Sequence, residues 1–208
     1  MDKGIIYTVG HSNHAPEYFL ALLQAHDINC VVDVRSVAAS AHNPQFNKAP
    51  LEAYLKNHGI RYLHFAREFG ARQEDPALHD AQGKVDFVKV RGTAAFREGV
   101  ERLQTGAARG FRIALMCSEG EPLECHRFSM ISGHLQAEGF DVLHILRDST
   151  LVPHPELEEA MLEKYHKKLP RPSLFEPDVD ENARIAAAYR LHNQEVGWSA
   201  KQPEAEAG

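Results

Sequence analysis

Cysteine is scarce in this chain: three residues in 208. A small, odd number excludes a disulfide framework as the source of stability and fits a reducing compartment, so a cytoplasmic location is expected. No long uncharged apolar run is present and mean hydropathy is −0.40, which argues against a membrane span or membrane partner. Residues 1–7 show no charged leader followed by an apolar segment, so no secretory signal is expected. An excess of positive charge is missing too. Lys and Arg number 23 against 29 Asp and Glu, for a net charge of −6. A broad footprint for nucleic acid is therefore absent from the totals, and only a local basic patch stays open. The Gly-x-Gly-x-x-Gly dinucleotide pattern is lacking after the first apolar run, which removes the expectation of a nicotinamide or flavin. The cofactor is otherwise undetermined. Apolar residues make up 43%, enough for a sizeable core. The unusual abundance is histidine, with thirteen residues.

Apolar runs at residues 5–9, 28–34, 60–65, 112–117 and 140–146 read as buried strands. Helical spacing falls between them. Phe19, Leu22 and Leu23 follow Pro16, and Leu51, Tyr54 and Leu55 follow Pro50 and end at Gly59. Phe96, Val100 and Leu103 form a third stripe, Phe128, Ile131 and Leu135 a fourth within a helix expected over 122–138, and residues 156–168 a fifth helix. The alternation predicts a single α/β domain, a Rossmann-like and mostly parallel sheet flanked by helices, over residues 1–168. The two prolines of Leu169-Pro170-Arg171-Pro172 mark a boundary. Residues 169–208 are expected to be an acidic helical extension, with one amphipathic helix over 178–196 and a disordered end at 201–208. The charged segment 66–92 is too long for a plain connection and reads as an ordered functional loop or a lid.

Open parallel sheets bind ligands beyond the carboxyl ends of their strands. There the sequence sets His11 and Ser12, then Asp33 and Arg35, then His64, then Cys117 and Glu119, with Cys125, His126 and Arg127 in the following helix. Any one of these is more often a turn or a satisfied core residue; several at one edge favour a cleft. His11, Asp33, Cys117 and Glu119 are assigned as catalytic, the first, second and fourth to move protons and Cys117 as a nucleophile. Ser12, Arg35, His64, His126 and Arg127 are assigned to substrate, with the two arginines orienting an anionic or nucleotide-like small molecule. A strand running into a helix N-terminus lowers a thiol pKa, although Glu119, Glu121 and Glu124 oppose that. The cysteine-phosphatase pattern is rejected because Leu123 stands six residues after Cys117. At about 100° per helical residue, Cys125 lies roughly 60° from Phe128 and His126 roughly 160°, so the two are not expected to serve one ligand. No metal ligand is assigned. A metal-dependent enzyme drawing on Cys117, Cys125 or His126, His11, His42 and His64 is an alternative, weakened because neither a Cys-x-x-Cys pair nor a helical His-x-x-x-His is present. A second alternative is a non-catalytic module for a small ligand or nucleic acid. The latter would use Arg61, Tyr62, His64, Phe65, Arg67, Arg72, Lys84, Lys89 and Arg91.

The same segments carry a resemblance. Thr8-Val9-Gly10-His11-Ser12, Asp33-Val34-Arg35-Ser36, Pro44-Gln45-Phe46, Gly59-Ile60-Arg61-Tyr62-Leu63-His64, and Leu115-Met116-Cys117-Ser118-Glu119 with Cys125-His126-Arg127 resemble domain of unknown function 488. The likeness runs over about residues 5–146. It implies a compact Rossmann-like domain of bacterial or archaeal type and no settled activity. Phe69-Gly70-Ala71 departs from the Leu-Gly-Gly that members often carry.

Overall fold

Apolar side chains on both faces of nearly every strand require helices on both sides of the sheet. In the computed structural model, which describes residues 3–171 and 180–199, this requirement is met. The strands are β1 (Ile5–Gly10), β2 (Cys30–Asp33), β3 (Arg61–His64), β4 (Ile113–Cys117), β5 (Asp141–Ile145) and β6 (Leu151–Pro153). They form one sheet in the order β3-β2-β4-β1-β5-β6. The first five run parallel, and β6 lies antiparallel to β5. The fold is a mixed α/β single domain, consistent with the Rossmann-like arrangement expected. The short edge strand β6 was not anticipated, and no helix among the described residues is long and apolar enough to cross a membrane.

Alternation along β4 divides the core. Ile113, Leu115 and Cys117 point into one apolar layer, while Ala114 and Met116 point into the other. The first layer takes α3 (Ala66–Phe69), α4 (Phe87–Arg91), α5 (Ala94–Ala108) and α6 (Gly133–Ala137). The second takes α1 (Pro16–Ala25) and α2 (Lys48–Asn57), which Gly59 terminates at φ +75°. Helix α5 forms where its stripe predicts. The Thr93 hydroxyl caps it by accepting from the Phe96 amide at 3.1 Å. Phe96, Val100 and Leu103 are buried, each contributing about 1.5–3 kcal/mol.

Three expectations need correction. Segment 66–92 folds into α3, a short turn and α4, with Val85, Phe87 and Val90 in the core. Residues 122–138 are not one helix. A 3-10 turn (Pro122–Glu124) is followed by extended Cys125 (φ −137°, ψ 144°), then a π-helical turn (Arg127–Ser132), then α6. The helix expected over 156–168 begins and ends earlier, as α7 (His154–Tyr165). The amphipathic helix of the acidic extension forms as α8 (Glu181–Val196), whereas residues 201–208 lie outside the described residues.

A histidine chain docks α7 and α8. Tyr189 donates to Glu158 at 2.7 Å, so its oxygen accepts from His154 Nε2 at 2.8 Å. His154 Nδ1 then accepts from His144 Nε2 at 3.0 Å, and His144 Nδ1 accepts from the Thr8 hydroxyl at 2.8 Å. Only neutral imidazoles satisfy this order. Burial accordingly lowers the His154 pKa to about 4. It also takes His144 well below its ordinary value, helped by His154 and Arg127. Between about pH 6.5 and pH 4 the unfolded chain binds protons that the folded chain refuses, so stability present at pH 7 is lost as pH falls. The urea midpoint is expected to drop between pH 6.5 and 5, above most carboxylate titrations, and His154→Gln to flatten that slope. A wild-type midpoint constant over this range would contradict the neutral chain.

Candidate functional site

β1 and β4 are neighbours, yet the chain leaves them in opposite directions. β1 leads into α1 on one face; β4 leads into the π-helical turn and α6 on the other. A crevice opens at such a switch point. The ladder continues past the strands, from the His11 amide to the Cys117 carbonyl and from the Ser12 amide to the Ser118 carbonyl, both 2.9 Å. Gly10 permits this approach, since a Cβ there would lie 1.9 Å from the Glu119 carbonyl oxygen. Ser12 turns the chain away at φ 47°.

The first polar set is built around Arg35. Its Nε donates to Asp33 Oδ1 at 2.9 Å, and its Nη2 to Asp33 Oδ2 at 2.6 Å and to the Phe46 carbonyl at 2.7 Å. Its Nη1 donates to His11 Nε2 at 3.1 Å. Four of five guanidinium N–H groups are thus occupied, and one Nη1 N–H remains for the cavity that Arg35 lines. Asp33 is fully buried and also accepts from Tyr62 at 2.6 Å. His11 donates from Nδ1 to the Ser12 carbonyl at 2.7 Å and stacks on Phe46. Burial lowers its pKa to about 4 and Arg35 adds to this, against the pull of the Ser12 carbonyl. His11 is therefore a neutral ring with both nitrogens engaged. His64 donates from Nε2 to the Arg35 carbonyl at 2.8 Å. It braces that residue from β3 and lies outside the cavity lining.

The second set gathers at the end of β4. Cys117 Sγ donates to Glu119 Oε2 at 3.0 Å and lies 3.7 Å from His126 Nδ1. Cys125 Sγ lies 3.7 Å from the same nitrogen. The ligand atoms of Cys117, Cys125 and His126 all fall within 4.8 Å of one another, the spacing of a potential metal-binding trio. Helical phase had separated Cys125 from His126. The separation fails because Cys125 is extended, outside any helix. Cys117 likewise meets a 3-10 turn instead of the N-terminus of a long helix, so the expected lowering of its pKa does not occur. Burial, with the Cys125 sulfur beside it, pushes the thiol well above its ordinary value. Burial opposes ionisation of Glu119, but hydrogen bonds from Cys117, its own amide and Cys125 outweigh it and hold the carboxyl at about 2. Burial also disfavours a charged His126, yet the Cys117 sulfur, the Glu119 carboxylate and the Val34 carbonyl raise its pKa.

These two sets face one cavity of about 640 Å³, within the range that takes a small-molecule ligand. His11, Ser12, Arg35, Cys117, Glu119 and His126 line it; Asp33 and Arg127 stand behind it. Arg127 is fully buried and donates to the Glu119 and Gly120 carbonyls at 2.6 and 2.9 Å, fixing the loop after β4. The sequence reading missed Arg147 and Trp198 in the lining, and had placed Arg72 only in a basic patch. Trp198 lies just past α8, and a lone tryptophan after an amphipathic helix was the available signal. That patch does not form a stripe: Arg67 pairs with Glu98, Lys84 with the Gln194 carbonyl and Lys89 with the His79 carbonyl, while Phe65 is buried.

A family model described as Domain of unknown function DUF488 matches residues 15–132, more than half of the chain. The chain belongs to that family. The matched stretch is shorter than the 5–146 expected, so Gly10, His11 and Ser12 of this DUF488 chain precede it. No curated protein matches the chain.

Gly10→Ala is expected to destabilise by about 3 kcal/mol, the upper end for overpacking, because the clash is with backbone. An unchanged urea midpoint would contradict the close approach. In native protein at pH 8, Cys117 is expected to alkylate more slowly than a free thiol. An inflection in alkylation rate below pH 8 would overturn the raised pKa.

Proposed function

We propose that this crevice is the active site of an enzyme acting on an anionic, nucleotide-like small molecule. The observation that carries the reading is Arg35, a nearly buried guanidinium held on three sides with one donor left for the cavity. A fixed cation of this kind recognises a phosphate or carboxylate without reorganising. Arg72 and Arg147 on the cavity wall add positive charge that draws an anion in. The Ser12 and Ser118 hydroxyls supply further polar contacts. Glu119 stands ionised beside Cys117 as a fixed negative charge, and His11 serves Arg35 as a positioning residue. Val196 and Trp198 contribute to the wall, so in this reading the functional unit extends past residue 168 to include α8. Three unbridged cysteines suit a reducing cytoplasm.

A non-catalytic binding module is the second reading, favoured by the protonated Cys117 thiol and the fully engaged His11 ring. Calorimetric titration with adenosine monophosphate, inorganic phosphate and neutral adenosine tests the anion requirement. The charged probes are expected to bind, with affinity falling as salt rises. Arg147→Ala, at a half-exposed side chain, is expected to weaken binding roughly three- to tenfold, as for loss of one charged contact worth about 1 kcal/mol. Equal binding of adenosine, or no effect of salt, would sink the anion reading. Conversion of a bound probe would decide for the enzyme over the module.

A further inference from the structure

We propose that Cys117, Cys125 and His126 bind a zinc-type divalent metal ion at the wall of the cavity, with Glu119 beside the Cys117 ligand. Zinc bonds of about 2.3 Å to sulfur and about 2.0–2.1 Å to nitrogen, at tetrahedral angles, set sulfur and nitrogen about 3.6 Å apart. His126 Nδ1 lies 3.7 Å from each sulfur, and no pair among the three ligand atoms is more than 4.8 Å apart. Small side-chain shifts close the site.

Neighbouring groups orient the ligands, and the ion itself displaces the thiol protons. His126 donates from Nε2 to the Val34 carbonyl at 3.2 Å, which leaves the Nδ1 lone pair toward the sulfurs. The Arg127 amide donates to Cys125 Sγ at 3.4 Å, fixing that sulfur beside the imidazole. Two thiolates and an imidazole select zinc over magnesium or calcium. On binding, each thiol releases its proton to solvent and its sulfur gives an electron pair to the ion; nothing is oxidised or reduced. The two thiolates balance the charge of the dication. All three ligands are buried, yet all line the cavity. Three protein ligands with one open side is the arrangement of catalytic rather than structural zinc. Glu119, 3.0 Å from Cys117 Sγ, adds a carboxylate beside that ligand. This inference stands apart from the anion reading, because metal content is measured without any ligand.

The test is zinc retention by the full chain, purified reduced, loaded with zinc sulfate and dialysed against metal-free buffer, then assayed by elemental mass spectrometry. Cobalt loading is followed in parallel by visible absorption. About one zinc per chain is expected, with the d–d bands of tetrahedral cobalt and a thiolate-to-cobalt charge-transfer band. Cys117→Ser and Cys125→Ser are each expected to weaken binding at least tenfold, since even outer-shell losses cost about 10–100-fold. Cys30→Ser, in the core at the start of β2, is expected to bind as wild type. If either serine variant fails to fold, the cobalt spectrum of the wild type decides alone. Substoichiometric zinc, an octahedral cobalt spectrum, or a Cys117–Cys125 disulfide forming under mild oxidant despite excess zinc would each overturn the proposal. Failure of the nucleotide titration would leave the zinc result intact, and the reverse also holds.

Discussion

The close contact between the end of β1 and the loop after β4 is the constraint on which the site depends. Gly10 lets the two backbones touch, and the ladder runs on through His11 with Cys117 and Ser12 with Ser118. That register sets the Arg35 set and the Cys117 set on two walls of one cavity. Arg127 fixes the same loop from below through the Glu119 and Gly120 carbonyls. Burying the whole guanidinium there is costly unless it is hydrogen-bonded, and these two carbonyls offset that cost.

The cavity is electrically divided. One wall carries Arg35, paired with Asp33 but with one N–H left for the cavity, and His11, which burial keeps neutral with Arg35 adding to the effect. The other wall is anionic, with Glu119 ionised between donors. The sulfurs and the imidazole beside it form a donor set for a soft cation.

Much of the fold was legible in the sequence because apolar runs and 3.6-residue stripes report burial directly. All five parallel strands and the stripe of α5 follow that rule. β6 did not, since three residues that include Pro153 carry no period. The segment after Pro122 misled for a physical reason: proline fits the first turn of a 3-10 turn as well as of an α-helix, and nothing local announces the extended Cys125. The π-helical turn that follows has no sequence signal we can name. At the site, the strand-end residues His11, Ser12, Arg35, Cys117 and Glu119, with His126 from the segment that follows β4, line one cavity. Strand-end position could not distinguish a side chain facing the cavity from one behind it, which is how Asp33, His64 and Arg127 differ from the rest. Arg147 and Trp198 arrive from segments distant in sequence, and only the lone tryptophan after α8 carried a local signal.

Ligand placement at the switch point is the central claim, and amide chemical-shift mapping during titration with adenosine monophosphate tests it most directly. The account predicts the largest shifts at His11, Ser12, Ser36, Ser118 and Gly120, with little change around the second cavity lined by Cys30, Arg61 and Phe111. Shifts confined to that second cavity, or absent at the ends of β1 and β4 at saturating probe, would contradict it.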